Sequence, residues 1–122
     1  MVETRPTTMN VVLVQDAEGN VAFSKDYPVP ELKPRHCLIQ VEMATINQSD
    51  LLSMANKKVG AEKPTYPNVP GTEGVGKVVA CGEGANEGLM GKRVAFAGPG
   101  GAYAEYAVAA LVIPVPEEIA SE

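Results

Sequence analysis

Short β-branched segments, each closed by a glycine or proline turn, constrain the fold of this chain more than any other feature. Residues 10–15 read NVVLVQ and stop at the turn 16–20, a pattern typical of a strand that enters a hairpin. Six or seven such strands predict a mostly β domain, either a sandwich or a partly open barrel. The further strands are predicted at residues 21–25, 37–45, 75–81, 92–97, 103–108 and 111–116.

Proline limits what the remaining segments can form. Residues 27–34 read YPVPELKP, and their alternate prolines lack backbone donors, so we predict an extended crossing segment rather than a central strand. Residues 59–70 contain three prolines and are predicted to be a long loop. Only residues 49–56 show helical spacing, with Ser49 or Asp50 as the cap, and they predict two helical turns at most.

Size and charge exclude several classes of partner. The 122 residues suit one domain, and residues 1–8 are interpreted as a disordered lead-in. The net charge of −5 and the scattered basic residues argue against nucleic acid as a partner. The chain has neither an apolar run of membrane-spanning length nor an N-terminal secretory signal. We therefore expect no membrane span, and we expect the cytoplasm as the compartment, with mitochondria as the alternative.

The thiols and the histidine carry no recognisable site. Cys37 and Cys81 each lie within an apolar run, and a disulfide framework would need more cysteines in so short a chain. Two small buried thiols in a reducing compartment are therefore predicted. The single histidine, His36, lies in a charged turn and cannot form a structural zinc site without further ligands.

The glycine cluster at residues 82–88 resembles the glycine motif that binds dinucleotides. That fingerprint depends on a helix that opens directly after the glycines and points its free N–H groups at the pyrophosphate. Here the next strand is predicted to begin at Lys92, which leaves no room for a helix, and Glu83 and Glu87 would repel phosphate. We interpret the cluster as a hairpin turn.

Three motifs, considered together and in their order along the chain, resemble a known family of domains. They are ATINQSDL at residues 44–51, the glycine-rich residues 69–84, and residues 91–96 followed by GGAYAEY at 100–106. Together they resemble the GroES-like domain of the medium-chain dehydrogenase/reductase superfamily, which includes zinc alcohol dehydrogenases, quinone oxidoreductases and enoyl-thioester reductases. The resemblance implies a GroES-like, partly open β-barrel at residues 9–116 with one or two short helices. It also implies that residues 117–122 begin the connection to a Rossmann domain outside this chain.

The resemblance also implies a zinc-independent site. In the zinc members a cysteine and a histidine bind the catalytic metal, and the matching positions here are Asn47 and Thr72. An amide and a hydroxyl are poor zinc ligands, so no metal is expected. Asn47 is then expected to polarise the substrate oxygen by donating a hydrogen bond.

Neighbouring positions take their expected roles from the same resemblance. Ser49 matches a hydroxyl that contacts the substrate oxygen, and Gln48 matches a position near the pyrophosphate of the cofactor. Asp50 matches a carboxylate behind the metal-binding histidine, or it simply caps the short helix. Glu73 also follows the family pattern and is expected to form a salt bridge behind the site.

The proton donor departs from the family pattern. Many of the zinc-independent reductases carry a tyrosine about eleven residues after the asparagine, where this chain has Lys58. Tyr66 is the substitute candidate for that catalytic role, and a packed loop aromatic is the alternative interpretation.

Two functions follow from the resemblance. The first is the substrate-side half of an NADPH-dependent reductase of a quinone, enone or enoyl thioester, inactive without the Rossmann domain that holds NADPH. The second is a stand-alone GroES-like interaction or assembly module without catalysis. A Rossmann fingerprint encoded beyond Glu122 would favour the first, and a stop codon there would favour the second. In either case an exposed, partly apolar cleft wall predicts a partner, with homo-oligomerisation as one outcome.

Overall fold

The strands dominate the structure, as the sequence predicts. The computed structural model describes residues 5–48, 51 and 65–116. Within those residues the chain forms a short 3-10 turn at Glu87–Leu89 and the following strands: β1 Thr8–Val14, β2 Val21–Pro28, β3 Cys37–Ala44, β4 Glu73–Cys81, β5 Arg93–Ala97, β6 Tyr106–Ala109 and β7 Leu111–Pro114.

The strands pair into two antiparallel sheets that together form a partly open barrel. β1 and β2 form a hairpin, and the larger sheet has the order β6-β3-β4-β5-β7. Single bridges from Val11 to Ala104 and from Val14 to Asn68 attach β1 to segments outside the larger sheet. β3, β4 and β5 therefore each have a strand on both sides, and β4 lies at the centre of the sheet.

The first hairpin turn is held by a network around one carboxylate. Asp16 accepts hydrogen bonds from the backbone N–H groups of Glu18 and Asn20 at 3.1 and 3.3 Å, and from Asn20 Nδ2 at 2.8 Å. The side-chain bond from Asn20 is the main reason that the pKa of Asp16 lies below its usual value. The turn predicted at 16–20 is confirmed.

The glycine-rich turn at residues 82–88 joins β4 to β5 and is not a phosphate loop. β4 ends at Cys81, the short 3-10 turn follows, and β5 begins at Arg93 as the antiparallel neighbour of β4. Asn86 caps the 3-10 turn by accepting a hydrogen bond from the N–H of Gly88 at 2.9 Å. The interpretation as a hairpin turn is confirmed, because residues 82–93, all of them described, contain no α-helix after these glycines.

The core lies on one face of the larger sheet. Ile39, Val78 and Val94 are fully buried and pack with Phe96 and a set of small residues. Gly76 belongs to this packing, because a Cβ there would meet the carbonyl oxygen of Gln40 on β3. The small residues are Cys37, Ala102, Ala107 and Ala109.

The largest differences from the predicted strand bounds, three residues each, are in β2 and β6, while the other strands agree within two residues. β2 continues through Tyr27 to Pro28, where a crossing segment was expected, because these residues pair with Met9 and Thr8 of β1. A proline at the end of an edge strand costs no ladder bond. β6 begins at Tyr106 rather than Tyr103, because the backbone around Tyr103 bonds to segments outside the sheet.

Other expectations concern the ends and the connection between β3 and β4. Most of the helix predicted at 49–56 lies outside the described residues, as do residues 1–4 of the lead-in and the proposed connection at 117–122. Thr8, the last residue of the predicted lead-in, begins β1 because it pairs with Pro28. Gln48 and Leu51 are helical, and the N–H of Leu51 donates to the carbonyl of Asn47 at 3.2 Å. Across the described part of the chain, no helix has the length and apolar character required to cross a membrane.

Candidate functional site

A polar cluster lies where the end of β3 meets the start of β4. The two strands are antiparallel, and Ala44 of β3 is the partner of Gly74 of β4. The next residue along, Thr45, donates its N–H to the carbonyl of Glu73 at 3.1 Å. The ladder therefore continues just past β3 and brings the side chains of Thr45, Asn47 and Glu73 together; we call these three residues the amide cluster.

Asn47 is the centre of the amide cluster. Its Nδ2 donates to Oε1 of Glu73 at 2.8 Å and to Oγ1 of Thr45 at 3.2 Å. The first bond is shorter and ends on a carboxylate, which makes it the stronger of the two. Glu73 therefore fixes the orientation of the amide. Among the described residues the hydrogen-bond partner of the Glu73 carboxylate is this amide, and the expected salt bridge stays a prediction.

A tyrosine supports the amide cluster from the other side. The hydroxyl of Tyr103 donates to the carbonyl of Thr45 at 3.0 Å, while its backbone N–H donates to the carbonyl of Pro70 at 3.0 Å. Its ring packs over Gly71, where an added Cβ would lie 2.5 Å from Cδ1 of the ring. Tyr103 was not among the predicted site residues, although the GGAYAEY motif that contains it was.

The structure places the other predicted residues around this cluster as follows. Gln48 follows Asn47 directly and is exposed. Thr72 precedes Glu73, is half-buried, and accepts at its backbone carbonyl a hydrogen bond from Gly98 at 2.8 Å. Ser49 and Asp50 lie outside the described residues, so their expected roles stay predictions.

Tyr66 differs from Asn47 in its hydrogen bonding. Its hydroxyl oxygen is buried and has no hydrogen-bond partner among the residues that the structure describes. No hydrogen bond thus connects it to the amide cluster within that part of the chain. Its assignment as a proton donor stays a prediction.

An open groove adjoins the amide cluster. Its volume is about 360 Å³, and its lining includes Phe23, Met43, Ala44 and Tyr103 together with the polar residues Asn10, Glu42 and Glu105. Phe23 and Met43 are 62% and 42% exposed. Thr45, Asn47 and Glu73 are not part of this lining, so the groove meets the amide cluster through Ala44, which precedes Thr45, and through Tyr103, which is hydrogen-bonded to it.

The donor set does not suit a metal or a dinucleotide. Glu73 is the only anionic side chain in the amide cluster, and Asn47 already donates to it. In residues 5–48, 51 and 65–116 no three or more His, Cys, Asp and Glu side chains are grouped as a metal site would require. The glycine turn at 82–88 leads into a strand, so it offers no helix N-terminus for a pyrophosphate.

Comparison with known proteins identifies the family. Residues 33–117 match the alcohol dehydrogenase GroES-like domain. Prostaglandin reductase-3 of Bos taurus is 35% identical over 120 residues, which cover 91% of this chain and 30% of that protein.

Solved structures agree with the sequence match. A putative NADPH:quinone reductase from Mesorhizobium loti superposes with a TM-score of 0.78 at 31% identity, covering 98% of this chain and 40% of the other. The quinone oxidoreductase of Thermus thermophilus, solved also in complex with NADPH, gives a TM-score of 0.75 at 26% identity and covers 93% and 35%. This chain thus spans well under half the length of these relatives.

The family match covers most of the chain, and both superpositions cover nearly all of it. The expected partly open barrel is the fold that they share. The chain belongs to the alcohol dehydrogenase GroES-like domain family, within the medium-chain dehydrogenase/reductase superfamily.

Proposed function

We propose that this chain is the substrate-side domain of a zinc-independent, NADPH-dependent reductase that acts on a quinone, enone or enoyl thioester. The observation that carries the proposal is the amide cluster, in which Glu73 holds Asn47, the residue that the family resemblance matches to a metal-binding cysteine. The relatives named as prostaglandin and quinone reductases support the reaction class.

The amide cluster can bind a carbonyl oxygen by hydrogen bonding. One bond from Asn47 Nδ2 ends on the Glu73 carboxylate and orients the amide, and the other is the long 3.2 Å bond to Thr45. Replacing that weaker bond costs a substrate oxygen little, because an ordinary exposed hydrogen bond contributes only about 0.5–1.5 kcal/mol. A fixed N–H aimed at an oxygen that gains negative charge stabilises the transition state.

The groove next to the cluster suits the rest of such a substrate. Met43, Ala44 and Tyr103 give it an apolar wall, while its two glutamates, Glu42 and Glu105, are already paired with Arg93 and with the N–H of Asn10. An apolar recess with one or two placed polar groups is the usual character of a small-molecule site. A flat conjugated carbonyl compound matches that combination.

The cofactor belongs to another part of a longer parent protein in this proposal. NADPH supplies the hydride when it is bound, but the described residues here do not fit its pyrophosphate. Gln48, exposed beside Asn47, is the proposed contact from this domain. We accordingly expect the 122-residue chain alone to show neither NADPH binding nor turnover, which titration calorimetry and an NADPH oxidation assay would measure.

The decisive experiment is steady-state kinetics on the longer parent with a quinone and an enone as substrates. Asn47→Ala should lower kcat by about 10²–10³, the usual effect of losing one such donor, while the Kd for NADPH stays within about twofold. Thr45→Val, which removes only the weaker acceptor, is the matched control and should change kcat by less than about fivefold. An unchanged kcat in Asn47→Ala would refute the assigned role.

A second proposal is a GroES-like interaction module without catalysis. It rests on the apolar side chains left exposed on β2 and at the end of β3, namely Phe23 and Met43. The sequence that follows Glu122 in the gene separates the two proposals. A glycine fingerprint of the Rossmann type favours the reductase, and a stop codon favours the module.

A zinc determination tests the donor argument independently. An amide and a hydroxyl at positions 47 and 72 should hold no zinc after dialysis of the purified chain. About one tightly bound zinc per chain by elemental analysis would overturn the zinc-independent part of the proposal.

A further inference from the structure

The two cysteines lie directly opposite each other on the central strands. Cys37 begins β3, Cys81 ends β4, and the two residues are Cα partners in the ladder. The N–H of Gly82 donates to the carbonyl of His36 at 2.8 Å. A bond between the residue after one partner and the residue before the other marks a non-hydrogen-bonded pair.

That register suits a disulfide. In a non-hydrogen-bonded antiparallel pair the Cα atoms are about 4.5 Å apart and the side chains approach each other on the same face of the sheet. Disulfides form at Cα separations of roughly 4.4–6.8 Å. The two strands therefore need no change of register for the sulfurs of Cys37 and Cys81 to bond.

The environments of the two thiols differ. Cys37 is 3% exposed within the core cluster, whereas Cys81 is only half-buried, in contrast to the prediction of two buried thiols. The Sγ of Cys81 lies 3.6 Å from the carbonyl oxygen of Asn86 in the following turn. Burial raises the pKa of Cys37 to about 11, and the charge of Cys81 and a hydrogen bond with it add to the effect. A reagent from solvent thus meets Cys81 first.

We propose that Cys37 and Cys81 are a redox modification site, at which a low-molecular-weight disulfide such as glutathione disulfide converts the two thiols into a cross-strand disulfide. The Cys81 thiolate attacks one sulfur of glutathione disulfide and releases one glutathione thiolate. Cys37 then loses its proton to solvent and attacks Cys81 Sγ, which releases the second glutathione. Two protein thiols are oxidised, and one glutathione disulfide is reduced to two glutathione molecules.

This site is separate from the amide cluster. Cys37 and Cys81 close the end of the β3–β4 ladder that is opposite to Thr45 and Glu73, roughly 25 Å away at the usual rise of a strand. The proposal therefore does not depend on the proposed reductase function.

The test uses the purified 122-residue chain in glutathione buffers of increasing oxidised fraction. We expect the loss of both free thiols, counted by maleimide labelling, and one peptide that joins Cys37 to Cys81 after proteolysis under non-reducing conditions. A glutathione adduct on Cys81 should appear before that peptide. The oxidised chain should unfold at a higher urea concentration than the reduced chain, because the crosslink restricts the unfolded state.

Two matched variants assign the order of events. Cys37→Ala should accumulate the glutathione adduct on Cys81, while Cys81→Ala should leave Cys37 unmodified over the same time. Far-UV circular dichroism checks that each variant is folded, and the time course of the unaltered chain gives the same order if a variant does not fold. Thiols that stay free in fully oxidised glutathione, a Cys81 adduct that never resolves, or a crosslink only between two chains would each overturn the proposal.

Discussion

The replacement of Gly71 by alanine tests how the protein supports its amide cluster. Gly71 has φ +96°, and an added Cβ would lie 2.5 and 2.8 Å from two ring atoms of Tyr103. The ring would have to move, and its hydroxyl would then lose the 3.0 Å bond to the Thr45 carbonyl. Gly71→Ala should therefore both destabilise the domain and displace the segment that carries Asn47.

The size of the effect follows from three contributions. The positive φ costs an alanine about 1–2 kcal/mol. The displaced ring adds about 1–3 kcal/mol, as overpacking in a filled interior usually does. The lost Tyr103 hydrogen bond adds about 0.5–1.5 kcal/mol. The free energy of unfolding should therefore fall by about 3–6 kcal/mol.

Gly101 offers a matched control. It has φ +94°, but among the described residues no atom beyond its chain neighbours lies within 4 Å of the position that its Cβ would take. Gly101→Ala should therefore show only the cost of the positive φ. Urea unfolding followed by far-UV circular dichroism gives both values, and their difference of about 2–4 kcal/mol measures the conflict with Tyr103. Equal losses of stability in the two variants would refute the reasoning, as would a Tyr103→Ala background in which Gly71→Ala stays as costly as before.

Three further substitutions test other parts of the structure. Tyr66→Phe should raise the free energy of unfolding by up to about 1 kcal/mol, because it removes a buried hydroxyl without a described partner; a loss of stability in urea would contradict this. Ile39→Ala should cost about 2–5 kcal/mol, whereas Ile113→Ala, at 60% exposure, should cost less than about 0.5 kcal/mol in the same assay. Asn20→Ala should lower the urea midpoint most above about pH 4 and progressively less at lower pH, because the lowered pKa of Asp16 gives stability that is fully present above its usual value of 3.8 and lost as the pH falls through the folded value. A difference that stays the same as the pH is lowered well below 3.8 would show that the Asp16 carboxylate is not involved.

Local sequence patterns predicted most of the strands, but they misplaced those whose limits depend on distant partners. β3 and β5 are within one residue of their predicted bounds, since β-branched residues at the core face mark them clearly. β6 was predicted to begin too early, at Tyr103. The N–H of Tyr103 donates to Pro70 and the N–H of Glu105 to Asn10, and such long-range bonds leave no local signal.

The candidate site, too, was predicted only in part: its residues were identified, but the contact between them was not. Asn47 and Glu73 were found through family resemblance, but nothing in the sequence indicates that the carboxylate accepts a hydrogen bond from the amide. That contact depends on the register of β3 on β4, which shifts between Leu38 and Ile39 and again between Val41 and Met43. A shift of one residue changes which side chains share a face, and a period-two pattern does not reveal where a bulge occurs.

The strand order has a consequence for how the chain acquires its structure. β3 pairs with β4 only across the segment 45–72, and its other neighbour, β6, ends at Ala109 opposite Cys37. The first hairpin joins residues that are close in sequence, but its bridge from Val11 to Ala104 can form only after residue 104 has been synthesised. Pairings between such distant residues make folding slow, on the millisecond-to-second scale typical of β domains. On the ribosome, β3 must remain without its second neighbour until nearly the whole domain has been synthesised. Its unpaired backbone groups and its apolar side chains are accessible to chaperones during that interval.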